Sequence, residues 1–375
     1  MKKGFRLSFA EGLFLLRHPD LLYVGQLANF FREKLHKDIT YFNRNLHLNA
    51  TNVCEANCLF CSFARLEEGM PNAYTMSIKE AVKWVAERYT ENMTEIHIVN
   101  GNHPSLPFSY YLDLVSTIKE KFPSLHIKAF TAVEIHHFSK KFNMSYEEVL
   151  KELIKAGLGS LPGGGAEIFA KRARKKLCKD KASAEEWLKV HETAHKLGMK
   201  SNCTMLYGTI ERDEEIIDHL IKLRELQDKT GGFQAFVPLA FHNANNRLSA
   251  LPSPTAFDDL KITAVSRLLL DNIPHIKAYW VMLGVKTAQI AQWFGANDLD
   301  GTVVEEKIYH MAGSNSPNKL TLKELVRLIK RANRVPVERD TLYRTIKIWD
   351  DRESKSNGHN KHNKGVSYKD LAHNF

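Results

Sequence analysis

The feature that most constrains how this chain can fold is a regular alternation of short apolar runs with amphipathic stretches. Six apolar runs end in polar or glycine residues and predict buried strands at residues 46–51, 95–100, 125–130, 200–208, 233–241 and 278–284. No hairpin signal separates consecutive runs, so the strands are expected to be parallel. Strand–helix units repeated six times predict an α/β fold, a partial or complete (βα) barrel of the TIM type.

The amphipathic stretches carry signals for helix ends. Ser77 is followed three residues later by Glu80, and Ser145 is followed by Glu148, so each pair predicts a capping box at a helix N-terminus. Gly157 follows the second stretch and predicts its C-terminal end. Helices therefore separate the predicted strands, as a parallel sheet requires.

The pattern divides the 375 residues into four parts. Residues 1–45 are predicted to be a helical lead-in, residues 46–284 the barrel core, and residues 285–350 a helical region that completes the barrel. Residues 351–375 form a polar tail, which we expect to be mobile because large apolar side chains are scarce there. Hydrophobic residues make up 43% of the chain, which is enough to bury a large core.

Three of the five cysteines lie within one short segment, "CEANCLFC", directly after the first predicted strand. In a parallel barrel, reactive groups lie at the C-terminal ends of the strands, so Cys54, Cys58 and Cys61 are placed for chemistry. Thiolates favour zinc or iron–sulfur, and no fourth Cys or His follows at a zinc-like spacing. Three thiolates can hold three irons of a cubane and leave the fourth iron open. The alternative is a structural zinc completed by a distant His or by Cys203.

A second metal motif competes with the cysteines. His191, Glu192 and His195 form an HExxH pattern, which can place two imidazoles on zinc with the glutamate as a base. Ser201 occupies the position at which a metzincin would supply its third ligand. The pattern lies in an amphipathic stretch before a predicted strand, so we interpret the two histidines as packing or solvent-facing residues of a barrel helix.

Charge and composition exclude other classes of protein. The net charge is +10, but no dense Lys/Arg block is interleaved with aromatic residues, so we expect no nucleic-acid partner. The excess charge fits an anionic small substrate, and a simple bias of the surface composition is the alternative. Glu11 and Arg17 interrupt the apolar N-terminal run, so we expect neither a signal peptide nor a membrane partner. Sparse cysteines do not indicate a disulfide framework, and the sequence predicts a cytoplasmic protein of undetermined oligomeric state.

The CxxxCxxC spacing, with Phe60 before the third cysteine, resembles the radical S-adenosylmethionine (SAM) superfamily. Further blocks between about residue 46 and about residue 315 resemble the aminofutalosine synthase family of the futalosine route to menaquinone, and the dehypoxanthine futalosine cyclase is a near relative. The blocks are "GNHPSLPFSYYLDL", "HIKAFTAVEI", "LPGGGAEIF", "SNCTMLYG", "RELQDKTGGFQAFVPLAFH" and "GANDLDGTVVEEKIYHMAG".

The resemblance implies a [4Fe–4S] cluster on the three cysteines, with SAM chelated on the open iron. A reducing electron donor of the flavodoxin or ferredoxin type would start the reaction. The 5′-deoxyadenosyl radical would add to the double bond of 3-[(1-carboxyvinyl)oxy]benzoate, a dicarboxylate aryl enol ether. Rearrangement and loss of carbon dioxide would give 6-amino-6-deoxyfutalosine, so SAM would be consumed as a substrate. The alternatives are the cyclase reaction by hydrogen abstraction and a non-catalytic iron–sulfur or zinc binding protein.

The resemblance and the strand ends also suggest the residues around the cofactor. SAM contacts are expected from Phe60, Asn100 and Gly101, and from the backbone of Gly164 in a triple-glycine turn. Two acidic residues, Glu134 and Glu167, are candidates for the ribose hydroxyls or the amino group of SAM. The two substrate carboxylates need cationic or hydrogen-bond-donating partners. The candidate substrate-binding residues are His103, Arg172, Tyr207, His242 and Asn297.

Overall fold

The computed structural model describes residues 6–350. The predicted polar tail, 351–375, lies outside the described residues. The strands of the described part are β1 Ile39–Asn43, β2 Asn45–Leu48, β3 Glu95–Ile98, β4 His126–Ala129, β5 Leu158–Leu161, β6 Lys200–Tyr207, β7 Phe233–Ala240, β8 His275–Ile276, β9 Asp298–Gly301, β10 Val335–Arg339 and β11 Thr345–Ile348.

The helices of the described part surround and cap these strands. They are α1 Phe9–Arg17, α2 Leu21–His36, α3 Ile78–Arg88, α4 Phe108–Lys121, α5 Ala132–Lys141, α6 Tyr146–Ala156, α7 Lys171–Leu177, α8 Ala184–Lys196, α9 Asp213–Thr230, α10 Ala256–Leu269, α11 Trp280–Leu283, α12 Val285–Ala291, α13 Ile308–Met311 and α14 Leu322–Arg331. Within residues 6–350, no helix is long and apolar enough to cross a lipid bilayer.

Seven parallel strands form the main sheet, in the order β2-β3-β4-β5-β6-β7-β8. A helix follows most of these strands, so the α/β barrel-type fold expected from the alternating pattern is confirmed. The segment that begins with β9 bridges the two edge strands, because Lys277 pairs with Asp298 on one side and Leu46 pairs with Val304 on the other. The curled sheet therefore surrounds a central space that opens at the C-terminal strand ends.

The capping signals in the sequence mark real helix ends. The Ser77 hydroxyl accepts the Glu80 amide at the start of α3, and Ser145 and Glu148 form the same reciprocal box before α6. Helix α6 ends at Gly157, whose φ of 113° lies in the left-handed region that favours glycine. These predictions are confirmed.

One predicted strand is wrong. Residues 278–284 contain helix α11, and the seventh strand of the sheet is the short β8 that precedes it. All four side chains of α11 are buried, so this run is apolar on every face. A short run of that kind fits a buried strand and a buried helix equally well, and periodicity cannot separate them. The strand β5 was not predicted at all.

A second, four-stranded sheet with the order β11-β10-β1-β9 was also missing from the prediction. It joins the N-terminal segment to the C-terminal one, since β1 runs parallel to both β9 and β10. The C-terminal region carries the helices α12, α13 and α14, as expected, together with three of these strands. Each strand of this sheet has only four or five residues, too few for a clear alternating pattern.

Candidate active site

A cavity of about 290 Å³ opens at the C-terminal ends of the parallel strands. Cys54, Cys58 and Cys61 all line it. Much of its wall is apolar, and polar side chains converge on it from strands on opposite sides of the sheet. Concave sites with a few converging polar groups are the usual form of small-molecule sites in enzymes.

Backbone hydrogen bonds hold the cysteine loop against the end of β2. The Cys54 amide donates to the Arg65 carbonyl at 2.8 Å, and the Arg65 amide donates to the Asn52 carbonyl at 2.8 Å. Two further amides donate to sulfur: Asn102 to Cys54 Sγ at 3.3 Å and Ala64 to Cys61 Sγ at 3.4 Å. Amides that point at sulfur stabilise a thiolate, which is the form that binds metal.

Burial governs the protonation of these thiols. It raises the pKa of the Cys54 and Cys58 thiols, while the Lys181 ammonium opposes the rise at Cys58. Buried thiols of this kind are neutral in the absence of metal, and metal binding displaces their protons.

The donor set suits an iron–sulfur cubane better than a single zinc ion. Within residues 6–350, no three Cys, His, Asp or Glu side chains are grouped as ligands of one metal ion. In a cubane, each thiolate binds a different iron, so the three sulfurs need not meet at one point. Cys178 and Cys203 are buried free thiols that do not line the cavity.

The end of β3 lies directly against the cysteine loop. A Cβ atom at Gly101 would lie 2.2 Å from the Val53 carbonyl oxygen and 2.9 Å from Cys54 Cβ, so only glycine allows this approach. The neighbouring Asn100 accepts the Ala50 amide at 2.7 Å through its side-chain oxygen. Both Asn100 and Gly101 line the cavity.

Glu134 does not lie where the sequence analysis placed it. Its carboxylate is buried outside the cavity lining and accepts the Asn100 amide at 3.0 Å and the Thr131 amide at 2.7 Å. Burial raises the pKa of Glu134 to about 7. Because protein donors occupy both oxygens, Glu134 supports the end of β3, and its contact with SAM stays a prediction.

The triple-glycine turn forms another wall of the cavity. Gly164 lines the cavity, and its carbonyl accepts the indole N–H of Trp187 at 3.1 Å. The carboxylate of Glu167 pairs with Lys181 at 2.6 Å, and the Lys181 ammonium lies 5.3 Å from the centre of the Phe60 ring. Glu167 adopts a φ of 46°, a conformation that costs non-glycine residues about 1–3 kcal/mol.

Four of the predicted substrate-binding residues do not line this cavity. His103 lies in a separate surface pocket and bonds Thr75 Oγ1 at 3.1 Å. Arg172 pairs with Glu215 on α9 at 2.6 Å. The remaining two are buried in the protein: the Tyr207 hydroxyl donates to Asp259, and Asn297 bonds Arg267 and His275.

The four residues share one feature, and their role as substrate contacts stays a prediction. The residues follow strand ends in the sequence, but each side chain is satisfied by a neighbouring element of the protein. His242 differs, because it lines the cavity next to Tyr309, with ring centres 5.5 Å apart. Its Nε2 atom lies 2.9 Å from the Met282 carbonyl oxygen.

Sequence reasoning missed the polar interior of the barrel. Lys128 pairs with the buried Glu95 at 2.5 Å, and Lys277 pairs with Asp300. Other missed residues line the same cavity: His47, His97, Asn202, Tyr279, Glu306 and Tyr309. A polar residue in the middle of an otherwise apolar strand, such as the lysine in "HIKA", was the available signal.

The HExxH pattern is not a metal site. His191 and His195 both bond the Ser201 hydroxyl, at 3.0 and 2.7 Å. Glu192 instead accepts from lysines on α8 and α9, and this contact lowers its pKa to about 2. The packing interpretation of these histidines is confirmed.

Comparison with known proteins agrees with this geometry. Residues 48–223 match the radical SAM superfamily, and residues 230–351 match the CofH/MqnC C-terminal region. The methylornithine synthase structure has the same fold, with a TM-score of 0.70 at 17% identity over 89% of this chain and 95% of its own.

Three curated relatives align over almost the whole chain. The aminodeoxyfutalosine synthase of Thermus thermophilus is 51% identical over 93% of this chain and 94% of its own length. The corresponding synthase of Streptomyces coelicolor is 47% identical over 93% of each chain. The cyclic dehypoxanthine futalosine synthase of Streptomyces coelicolor is 34% identical over 93% of this chain and 88% of its own length. The chain therefore belongs to the radical SAM superfamily, in the group that carries the CofH/MqnC C-terminal region.

Proposed function

We propose that the protein is an aminodeoxyfutalosine synthase of menaquinone biosynthesis, acting on SAM and 3-[(1-carboxyvinyl)oxy]benzoate. The observation that carries the proposal is the three-thiol loop at the mouth of a largely apolar cavity on which polar side chains converge, in a chain 51% identical to such a synthase. Streptomyces coelicolor has both kinds of enzyme, so they can be compared directly. Its aminodeoxyfutalosine synthase is 47% identical to this chain, and its cyclic dehypoxanthine futalosine synthase is 34% identical. The synthase is therefore favoured over the cyclase.

In this proposal Cys54, Cys58 and Cys61 hold a [4Fe–4S] cluster. When bound and reduced, the cluster cleaves SAM and supplies the adenosyl radical that is transferred to the enol ether. The two amides that point at Cys54 and Cys61 favour the thiolate form of these ligands. The open face of the loop turns toward the cavity, where both small molecules would meet.

The walls of the cavity next to the loop supply the SAM contacts in this proposal. Gly101 and Gly164 line the cavity and bring backbone groups to its wall. The Glu167–Lys181 pair offers a carboxylate to an amino group or to ribose hydroxyls, and Phe60 adds an apolar face. The protein thus orients the reacting carbon and excludes water, while the cofactor performs the difficult chemistry.

The proposal is tested by product analysis under anaerobic conditions. Reduced protein is incubated with SAM and the enol ether, and the products are separated by liquid chromatography and mass spectrometry. An adduct that retains the adenosyl group, together with release of carbon dioxide, supports the synthase. Free 5′-deoxyadenosine formed with dehypoxanthine futalosine would support the cyclase instead, and absence of any SAM cleavage would support a non-catalytic metal-binding protein.

We further propose that the electron donor is an acidic flavodoxin or ferredoxin that docks on α7. Four lysines on and beside this helix are exposed and form no ion pair within residues 6–350: Lys171, Lys175, Lys176 and Lys179. The helix adjoins the cysteine loop, because the Leu59 amide donates to the Leu177 carbonyl at 2.9 Å. Unpaired positive charge next to a redox centre attracts an acidic partner and speeds its association.

A further inference from the structure

The bottom of the cavity is polar where a barrel of this kind is usually filled by branched apolar side chains. We call this bottom the floor and define it as His47, His97, Lys128 and Lys277, all of which line the cavity. His47 on β2 lies beside His97 on β3, and His97 lies beside Lys128 on β4, in one row of the sheet. Three neighbouring strands thus contribute nitrogen-bearing side chains at the same height in the barrel.

The two histidines of the floor are not satisfied by the protein. His47 is 9% exposed, and the Nε2 atoms of His47 and His97 are buried without a hydrogen-bond partner within residues 6–350. The two ring centres lie 4.6 Å apart. Buried polar atoms normally have a partner, so an unpartnered pair beside a cavity points to a ligand. By contrast, the buried His219 bonds the Phe169 amide and the Thr204 carbonyl.

The floor offers free N–H donors, although its ammonium groups are paired with carboxylates. Lys128 donates to Glu95 and Lys277 donates to Asp300, so each ammonium uses one of its three N–H donors in its ion pair. Burial lowers the pKa of His47 and His97, which keeps both rings neutral and leaves each with one N–H donor. The acidic neighbours that face the two rings are Glu95 on β3, Asp300 on β9 and Glu306 beyond it.

We propose that the floor binds the ring carboxylate of the aryl enol ether, an inference that rests on the proposed synthase function. The substrate has two carboxylates at opposite ends. One is attached to the reacting double bond and must lie at the mouth, beside the cysteine loop. The other is on the aromatic ring and extends toward the floor, where N–H donors from three strands and the Lys277 ammonium converge. Such donors bind a carboxylate in a geometry that fixes the ring beneath the reacting carbon.

The test compares two ligands on the unreduced holoenzyme with SAM bound, so that no turnover occurs. The ligands are 3-[(1-carboxyvinyl)oxy]benzoate and 2-phenoxyacrylate, which lacks the ring carboxylate, and affinities are measured by isothermal titration calorimetry. Hydrogen bonds to a charged group change affinity by about tenfold to a hundredfold. The wild-type protein is therefore expected to bind the dicarboxylate at least tenfold more tightly than the monocarboxylate.

The His97→Gln variant is expected to lose most of that preference, with little change in its affinity for 2-phenoxyacrylate. His47→Gln repeats the test at the neighbouring ring in case one variant folds poorly. His126→Gln is the matched control, because His126 lies on β4 outside the cavity lining and bonds Ser160 at 2.8 Å. This variant should keep the wild-type preference.

The outcomes separate the two proposals. Equal weakening of both ligands by His97→Gln and His47→Gln, or equal binding of both ligands by the wild-type protein, would overturn the role of the floor and leave the synthase proposal intact. Failure of the wild-type protein to bind either ligand would overturn the synthase proposal, and the role of the floor with it.

Discussion

The two ends of the cavity are built in different ways. We call the cysteine loop, residues 54–61, and the strand ends beside it the mouth, and we compare it with the floor. At the mouth, the cysteine loop is held by backbone hydrogen bonds, and glycines let neighbouring strand ends approach it. At the floor, side chains from separate strands meet and form buried ion pairs. The mouth is therefore encoded in short local segments, whereas the floor depends on the register of the whole sheet. The difference implies that substitutions at the mouth abolish chemistry and that substitutions at the floor affect stability and substrate fit.

The largest expected effect is at the mouth. Cys58→Ala should remove one thiolate of the cluster and abolish SAM cleavage while leaving the fold intact, because the strands do not depend on this side chain. Iron and sulfide content and product formation are measured after anaerobic reconstitution. Cys203→Ala is the control: this buried thiol lies outside the cavity lining, so the variant should keep its cluster at a stability cost of about 1 kcal/mol. Full activity in Cys58→Ala would show that the cysteine loop takes no part in the reaction.

A floor substitution should act mainly on stability. Burial alone would raise the pKa of Glu95, but the adjacent Lys128 ammonium holds this pKa well below its usual range. Lys128→Met leaves the carboxylate buried and unpaired, which costs about 3–5 kcal/mol of unfolding free energy. The double variant Glu95→Gln/Lys128→Met should recover part of that loss.

Urea unfolding of the anaerobic holoenzyme measures the effect at Lys128. The matched control is Lys151→Met, which breaks the exposed pair with Glu147 and should cost far less unfolding free energy, because solvent screens an exposed pair. Equal losses of unfolding free energy in Lys128→Met and Lys151→Met would show that the floor is not a buried ionic layer. The proposed difference between floor and mouth would then be wrong.

The same difference explains which parts of the site the sequence predicted. The three cysteines stand close together in one loop, and their type and spacing carry a chemical meaning that needs no knowledge of the fold. The floor residues lie between positions 47 and 277, and only the parallel register brings them together. A single histidine or lysine within a strand does not indicate which distant residues it contacts in the fold.

The predicted site residues that lie outside the cavity lining have a related explanation. Asn100 and Gly101 follow a strand end and line the cavity, but position after a strand end does not determine where a side chain points. His103 and Asn297 turn away from the cavity because other protein groups bond them, and Glu134 caps α5. Likewise, the alternating pattern predicted five of the seven strands of the main sheet, missed β5, and assigned the apolar α11 to a strand in place of β8.

An intermediate effect is expected at the surface beside the mouth. Lys175→Glu/Lys176→Glu reverses two unpaired charges on α7 and should slow turnover with reduced flavodoxin by about tenfold at low salt. Turnover with dithionite should not change, because a small reductant needs no docking surface. The control is Lys151→Glu/Lys155→Glu, the same charge change on α6, which packs against α4, α5 and α8. Equal slowing by both double variants would indicate a general charge effect.

The smallest expected effect is a pH dependence at the His310–Glu306 pair, where Glu306 lines the cavity. The hydrogen bond from His310 to the Glu306 carboxylate raises the pKa of His310 to about 9. This folded-state pKa exceeds that of an unfolded histidine, about 6.5, so the stabilisation is complete below about pH 6.5 and is lost as the pH rises through about 9. Glu306 is buried but the His310 side chain is partly exposed, so solvent screening should keep the change in unfolding free energy to about 1 kcal/mol.

The His310→Gln variant tests whether this titration arises at the His310–Glu306 pair. Urea midpoints of the wild-type protein should fall between pH 6.5 and pH 9, and those of His310→Gln should fall less, because the variant has no charge to lose. Since Glu306 also accepts the Ile308 and Tyr309 amides, its carboxylate stays fixed when the neighbouring charge is lost. Substrate affinity should therefore change less than stability over this range. Parallel pH profiles for the two proteins would mean that the loss of stability arises elsewhere in the protein.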